Sequence, residues 1–144
     1  MAPRSSDGAR GRVAKKEPVA IKYPPSPSLA RLFARVVKLA RCFPGVEESR
    51  SYGTPAIKVK GKFMARLRSE AEGGLAIVCA FDERQMLMDG APEVFYITDH
   101  YADYEIVLID LGKVAWDMMP EIVEQAWRAV ATPRLLAQYE AGSP

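Results

Sequence analysis

Residues 56–68 alternate between apolar and basic side chains almost without a break. The apolar members are Ile57, Val59, Phe63, Ala65 and Leu67, and the basic members are Lys58, Lys60, Lys62, Arg66 and Arg68. A period of two is typical of strands with one buried face, so this stretch predicts a hairpin that turns near Gly61. A two-residue loop of Lys60 and Gly61 would place Val59 and Lys62 on one face. We therefore expect an odd-length loop centred on Gly61, which keeps the apolar residues together.

Two amphipathic segments predict helices on either side of this sheet region. Within residues 28–43, apolar residues recur at helical spacing and cations occupy the opposite side, before Pro44-Gly45 ends the helix. A second long helix is expected over residues 117–131, and a short one over 134–139.

Further strands are expected between the hairpin and the last helices. Residues 75–80 form a short apolar run typical of a central strand, and 94–98 and 104–111 read as an antiparallel pair. Asp82 is expected to begin a short helix that ends near Met88. This order predicts an α+β fold in which N- and C-terminal helices pack on one face of an antiparallel sheet and the other face is exposed.

The two halves of the chain carry opposite charge. Residues 1–68 contain 16 Lys or Arg and 4 Asp or Glu, whereas residues 69–144 contain 4 and 14. A positive surface attracts polyanions such as nucleic acid, but halves of opposite sign also neutralise each other within a fold or between subunits. The charge pattern leaves both interpretations open, including a homo-oligomer.

Residues 1–27 are expected to form a basic, flexible tail with a proline-rich hinge, because they carry six cations and few large apolar residues. A single domain is then expected over residues 28–140. We find no apolar run of the roughly 20 residues that cross a bilayer and no secretion signal, which predicts a cytoplasmic protein without a membrane partner.

No catalytic signature or cofactor motif is recognisable, so we expect a binding protein with no cofactor rather than an enzyme. The pair Gly61-Lys62 resembles the end of a phosphate-binding loop, but Phe63 replaces the hydroxyl that would hold magnesium. His100 has no accompanying nucleophile motif. One histidine with the distant Cys42 and Cys79 cannot supply a standard zinc site, and both cysteines are expected to be buried, unpaired hydrophobes.

The basic hairpin is the first candidate binding surface. Residues 50–68 contain six cations and no acid, and five of the cations are expected to face solvent or a ligand on one side of the hairpin. A two-stranded ribbon fits a DNA groove, where cations neutralise phosphates; because the chain lacks asparagine, we expect weak sequence preference. The candidate residues for binding duplex DNA are Arg50, Lys58, Lys60, Lys62, Arg66 and Arg68.

Several segments together resemble a known family. They are PGVEE at 44–48, SYGTPAIKV at 51–59, GKFMARL at 61–67 and PEVFYIT at 92–98, with His100-Tyr101, Tyr104 and Ala126-Trp127 further on. As a set, spread over about residues 29–136, they resemble the MmcQ/YjbR family. The resemblance implies a frataxin-like α+β fold with a double-wing arrangement of hairpins and a DNA-binding role.

The resemblance would place the wings at residues 57–67 and 70–75, where the second wing carries Glu70 and Glu72. Iron handling of the frataxin kind is disfavoured, because the first helix presents cations where an acidic face would be needed.

The alternative is a small-molecule or protein-binding site. Its candidate residues are Tyr52, Thr54, His100, Tyr101 and Tyr104. Tyrosines can line a pocket or stack bases, although at half-buried strand ends they more often complete the core. A closed, partly apolar pocket would favour this alternative, and a flat basic hairpin face would favour DNA.

Overall fold

The structure, a computed structural model, describes residues 24–142. The predicted basic tail over residues 1–22 lies outside the described residues. The helices and strands, in chain order, are α1 (Pro27–Ala40), β1 (Val46–Ser51), β2 (Thr54–Val59), β3 (Lys62–Leu67), β4 (Leu75–Val78), α2 (Phe81–Gly90), β5 (Phe95–Tyr96), β6 (Ile106–Ile109), α3 (Met119–Val130) and α4 (Pro133–Ala141). Short 3-10 turns occupy Asp99–Tyr101 and Trp116–Met118. Within residues 24–142, no helix is long and apolar enough to cross a bilayer.

The strands form one antiparallel sheet in the order β1-β2-β3-β4-β6-β5. Helices α1 and α3 contact each other, and their apolar sides share one buried cluster with the inner face of the sheet. Trp127 in α3 is fully buried and donates its indole N–H to the carbonyl of Pro44 at 2.9 Å, which ties α3 to the loop before β1. The predicted α+β fold with terminal helices on one face is confirmed.

Helix α1 is shorter than its apolar spacing predicted. Ser26 caps its first turn by accepting a hydrogen bond from the Leu29 amide, and the helix ends at Ala40 rather than at Phe43. Cys42 therefore lies in a surface turn and is exposed, so the prediction that it is buried is wrong. Cys79 is buried as predicted, and both thiols are free.

The turn between β2 and β3 contains two residues, so the predicted odd-length loop is wrong. Val59 lies directly opposite Lys62, and the backbones of Lys60 and Gly61 have φ values of 50° and 83°. Positive φ at both central positions is the geometry of a type I′ turn, whose twist matches that of the flanking strands.

A β-bulge restores the apolar pattern after this turn. The register shifts by one between Ile57, which lies opposite Ala65, and Lys58, which lies opposite Phe63. Met64 is therefore an extra residue on β3 without a partner on β2. Because of the bulge, the hairpin combines a two-residue turn with one apolar face toward the core. A prediction from strict alternation misses this arrangement, because it assumes that neither strand carries an extra residue.

The bulge also divides the hairpin cations between the two faces. Residues directly opposite in an antiparallel pair share a face. Lys58, paired with Phe63, therefore lies on the face away from α1 and α3, whereas Lys62, paired with the core residue Val59, belongs to the other face. The expectation that all five cations share one face is wrong.

The sheet face away from α1 and α3 is partly buried, so the expectation that this whole face is exposed is wrong. Ala56, Arg66, Ala76 and Leu108 follow one another in register across four strands of this face, and all four are buried. A central strip of the second face is therefore covered, and it contains an arginine.

Candidate ligand-binding cleft

Two adjoining cavities of about 550 and 380 Å³ open on this second face. Both cavities are lined by Tyr52, Arg66, His100 and Tyr101. We call the two cavities together the tyrosine cleft. The predicted alternative site is thus largely assembled, because the structure brings Tyr52, His100, Tyr101 and Tyr104 around these cavities from two distant segments.

The cleft has two chemically different ends. The larger cavity, the basic lobe, is completed by Arg68, Ser69 and Glu72. The smaller cavity, the aromatic lobe, is completed by Ser51, Lys58, Gly61, Phe63, Tyr104 and Ile106. The basic lobe therefore carries two arginines and a carboxylate, whereas the aromatic lobe adds Phe63 and Tyr104 beside one cation, Lys58, and both lobes present polar and apolar surface.

Tyr52 occupies an unusual backbone position at the mouth of the cleft. Ser51 pairs with Thr54, so Tyr52 and Gly53 form a two-residue turn with φ values of 54° and 78°. A bulky residue rarely adopts positive φ, because its Cβ crowds the backbone there. The Tyr52 side chain is also 83% exposed, so core packing does not offset this strain. Its ring lies 5.3 Å from the guanidinium carbon of Arg66.

The opposite wall of the cleft is the segment between β5 and β6. His100 contacts Tyr101 edge-on with ring centroids 4.8 Å apart, and its ring centroid lies 6.3 Å from that of Tyr104. The side chain of Tyr104 is exposed, so the expectation that the tyrosines mainly complete the core is wrong for this residue.

Arg84 in α2 holds the backbone of this wall, and its role was not predicted. Its Nη1 donates to the carbonyls of Tyr101 at 3.2 Å, Tyr104 at 2.8 Å and Ile106 at 3.1 Å, and its Nη2 donates to that of Ala102 at 3.1 Å. An isolated arginine in a polar helix gives no sequence signal for such a role, because its acceptors are main-chain atoms brought near by the fold.

Arg66 forms the floor of the cleft and is only 4% exposed. Its Nη1 donates to the hydroxyl of Thr54 at 3.3 Å and its Nη2 to a carboxylate oxygen of Glu72 at 2.8 Å. Within the described residues its Nε has no acceptor. Thr54 is itself buried and donates to the Ser51 carbonyl at 2.9 Å, so this predicted site residue supports Arg66 instead of lining the cleft.

Glu72 is the carboxylate at the rim of the basic lobe. Burial alone would raise the pKa of Glu72, but hydrogen bonds from Ser69 and Arg66 outweigh it and hold the pKa below its ordinary value of 4.5. Glu72 is therefore ionised at neutral pH and balances the buried charge of Arg66.

Arg68 borders the same lobe. Its Nη1 donates to the Gly73 carbonyl at 2.9 Å, and its guanidinium carbon lies 5.6 Å from the ring of Tyr101. Like that of Arg66, its Nε has no acceptor in the part of the chain that the structure describes. Both Nε atoms are buried, so the donors that these two arginines can still offer to the cavity are the remaining hydrogens on their Nη atoms.

The predicted DNA-binding residues are dispersed. Lys60 and Lys62 are exposed at the tip of the β2–β3 hairpin, and Arg50 is exposed on β1. Lys58 is half-buried, and β1 places Glu47 opposite it, where the Glu47 carboxylate also accepts a hydrogen bond from the Gly61 amide at 2.9 Å. With Arg66 buried as well, these cations do not form a flat basic surface.

Fold and cleft together define a small α+β domain with consecutive β-hairpins and a basic, aromatic cavity on the sheet face opposite the main helices. The chain belongs to the MmcQ/YjbR family, because the YjbR family model matches residues 41–129, which include every residue of the cleft. Comparison with curated proteins and with solved structures gives no match. The resemblance predicted from the sequence is confirmed, and DNA binding stays a prediction.

Proposed function

We propose that this chain is a small-molecule-binding domain, not an enzyme, and that its site is the tyrosine cleft. The observation that carries the proposal is a buried arginine, Arg66, surrounded by aromatic side chains within a cavity of ligand size. Small-molecule sites typically occupy about 300–1,000 Å³ and combine apolar walls with a few convergent polar groups.

The tyrosines of the cleft are better explained by binding than by folding. Aromatic side chains contribute to stability mainly through burial, yet Tyr52 and Tyr104 both remain exposed. Tyr52 additionally adopts a backbone conformation that disfavours a bulky residue. Exposed rings around a concave site leave apolar surface that a ligand would remove from water.

Arg66 supports the same conclusion. Transferring a charged group from water to the protein interior costs several kcal/mol unless partners compensate for it. If the buried strip of the sheet had only a structural role, an apolar residue at position 66 would fill it with a smaller desolvation cost. Arg66 nevertheless lines both cavities, as expected of a polar group that fixes the orientation of a ligand.

The test is a protein-observed NMR screen, in which amide spectra of the 15N-labelled full-length chain are recorded with a fragment library that contains acids, bases and neutral compounds. We expect hits to shift the amide resonances of Tyr52, Arg66 and Tyr101 and to leave those of α4 unchanged. The matched control is Arg50→Gln, which removes a cation from the edge strand on the opposite face and should preserve the hits. A library without hits, or hits that leave the cleft resonances unmoved, would contradict the proposal.

Duplex DNA binding is the second candidate, and the exposure of Lys60 and Lys62 at a hairpin tip favours it. Anisotropy of a labelled random-sequence duplex, titrated with the full chain and with residues 24–144 over a range of salt, tests it. Binding by the shorter chain that weakens with salt and is lost in a Lys60→Glu, Lys62→Glu double variant would support a phosphate-contacting hairpin. Absence of binding at low salt would reject it.

A further inference from the structure

We infer that the cleft selects a planar aromatic oxyanion, with its ring in the aromatic lobe and its carboxylate or phosphate group at the basic lobe. The inference rests on the proposed function and adds the chemical class of the ligand.

The charges that line the cleft favour an anion. Lys58, Arg66 and Arg68 line it, and Glu72 is the carboxylate among the lining residues. Glu72 is already paired with Arg66, and Glu47 lies opposite Lys58 on β1, so the charge of Arg68 is the one left without a facing carboxylate among the described residues. Because the cations that line the cleft outnumber its carboxylates, the cleft attracts an anion and repels a cation.

The hydrogen-bonding capacity of the two arginines points to an oxyanion in particular. A guanidinium carries five N–H donors, of which Arg66 uses one each for Thr54 and Glu72 and Arg68 uses one for Gly73. Carboxylates and phosphates are the acceptors that pair most strongly with such donors. A neutral ligand would leave this capacity unused.

The aromatic side chains that line the other lobe favour a ring. Phe63, Tyr104 and Ile106 offer apolar surface there, and Tyr101 reaches both lobes. Aromatic rings pack well on each other in offset or edge-on arrangements. Tyr52 stands exposed at the mouth, where its ring can close over a bound one.

The experiment is calorimetric titration of the full-length chain with three probes that share one ring system, namely 2-naphthoate, 2-naphthyl phosphate and 2-naphthylmethanol. We expect at least one anion to bind roughly tenfold or more tightly than the alcohol, the gain typical of a charge-assisted contact. Whichever anion binds more tightly identifies the oxyanion that the site accommodates.

Two variants assign the effect to the cleft. Arg68→Gln should remove most of the preference for the anion over the alcohol, and Arg50→Gln, with the same charge change on the opposite face, should keep that preference. Tyr52→Gly should weaken all probes without lowering the unfolding midpoint, because glycine tolerates the positive φ at this position. A loss of affinity in that variant therefore cannot be attributed to a damaged fold.

The outcomes separate the two proposals. If the alcohol binds as tightly as the anions, or Arg68→Gln keeps the wild-type preference, the oxyanion inference is overturned and the ligand-binding proposal stands. If no probe binds although the fragment screen yields cleft ligands, the inference is again overturned. If neither the probes nor any fragment binds the cleft, the proposed function itself is rejected.

Discussion

Arg66 and Glu72 form an ion pair of unequal partners, with 2.8 Å between Nη2 and Oε1 and side chains that are 5% and 43% exposed. Because the cation is buried and the anion is not, loss of the carboxylate leaves an uncompensated buried charge. We expect Glu72→Gln to lower the free energy of unfolding by about 1–3 kcal/mol. Urea denaturation measures this loss. The matched control is Glu70→Gln, an exposed residue of the same turn, and equal stability of the two variants would contradict the prediction.

The same carboxylate should make part of the stability dependent on acid. The folded-state pKa of Glu72 lies below 4.5, so its contribution is fully present above the unfolded-state pKa and is lost as the pH falls through the lower folded-state value. We expect the stability difference between the wild-type chain and Glu72→Gln to be constant from pH 7 to about pH 5 and to shrink below that. Denaturation curves recorded between pH 7 and 3 would show it, and a difference that grows in acid would reverse the assigned sign.

The two cysteines should differ sharply in reactivity. Burial, reinforced by the nearby Glu83 carboxylate, raises the pKa of Cys79 to about 12, whereas Cys42 is exposed. Because the thiolate is the reactive form, iodoacetamide at pH 8 should modify Cys42 in the folded chain and Cys79 only after unfolding. Peptide mass spectrometry with and without urea distinguishes the sites. Comparable labelling of both residues without urea would show that the strand end bearing Cys79 opens readily.

Trp127 should contribute to stability beyond its apolar area. Trp127→Phe removes the donor to the Pro44 carbonyl and leaves space in a cluster where the indole stacks on Phe43 with centroids 5.0 Å apart. We expect a loss of about 2–3 kcal/mol in the free energy of unfolding. The same substitution at the half-buried Trp116, which packs against Arg35 instead, should cost about 1 kcal/mol or less. Equal costs would show that the indole hydrogen bond is unimportant.

The positions of the strands were predictable from the sequence, but their detailed pairing was not. Alternation identifies β2 and β3 because the core requires one apolar face, yet it cannot detect the extra Met64 that changes the register. The sequence does contain a signal for the two-residue turns, namely the dipeptides Tyr52-Gly53 and Lys60-Gly61. Each dipeptide supplies a glycine, which readily adopts one of the two positive φ values that such a turn requires. This signal is easily overlooked, because such turns usually contain Asn-Gly or Asp-Gly instead of Tyr-Gly or Lys-Gly.

The candidate cleft was predictable as a set of aromatic residues but not as a charged site. Tyrosines and a histidine in two segments indicate a pocket, whereas the alternation of residues 56–68 predicts that Arg66 lies on an outward cationic face. Its burial and its pairing with Glu72 depend on the bulge and on the turn after β3, which place the two side chains together.

The four hydrogen bonds of Arg84 all end on main-chain carbonyls, so they impose no requirement on the side chains of the wall that they hold. Substitutions at His100, Tyr101 or Tyr104 can therefore alter what the cleft recognises while its frame stays in place. The domain thus separates the residues that maintain a binding site from those that choose its ligand, an arrangement that allows relatives with one fold to diverge in specificity.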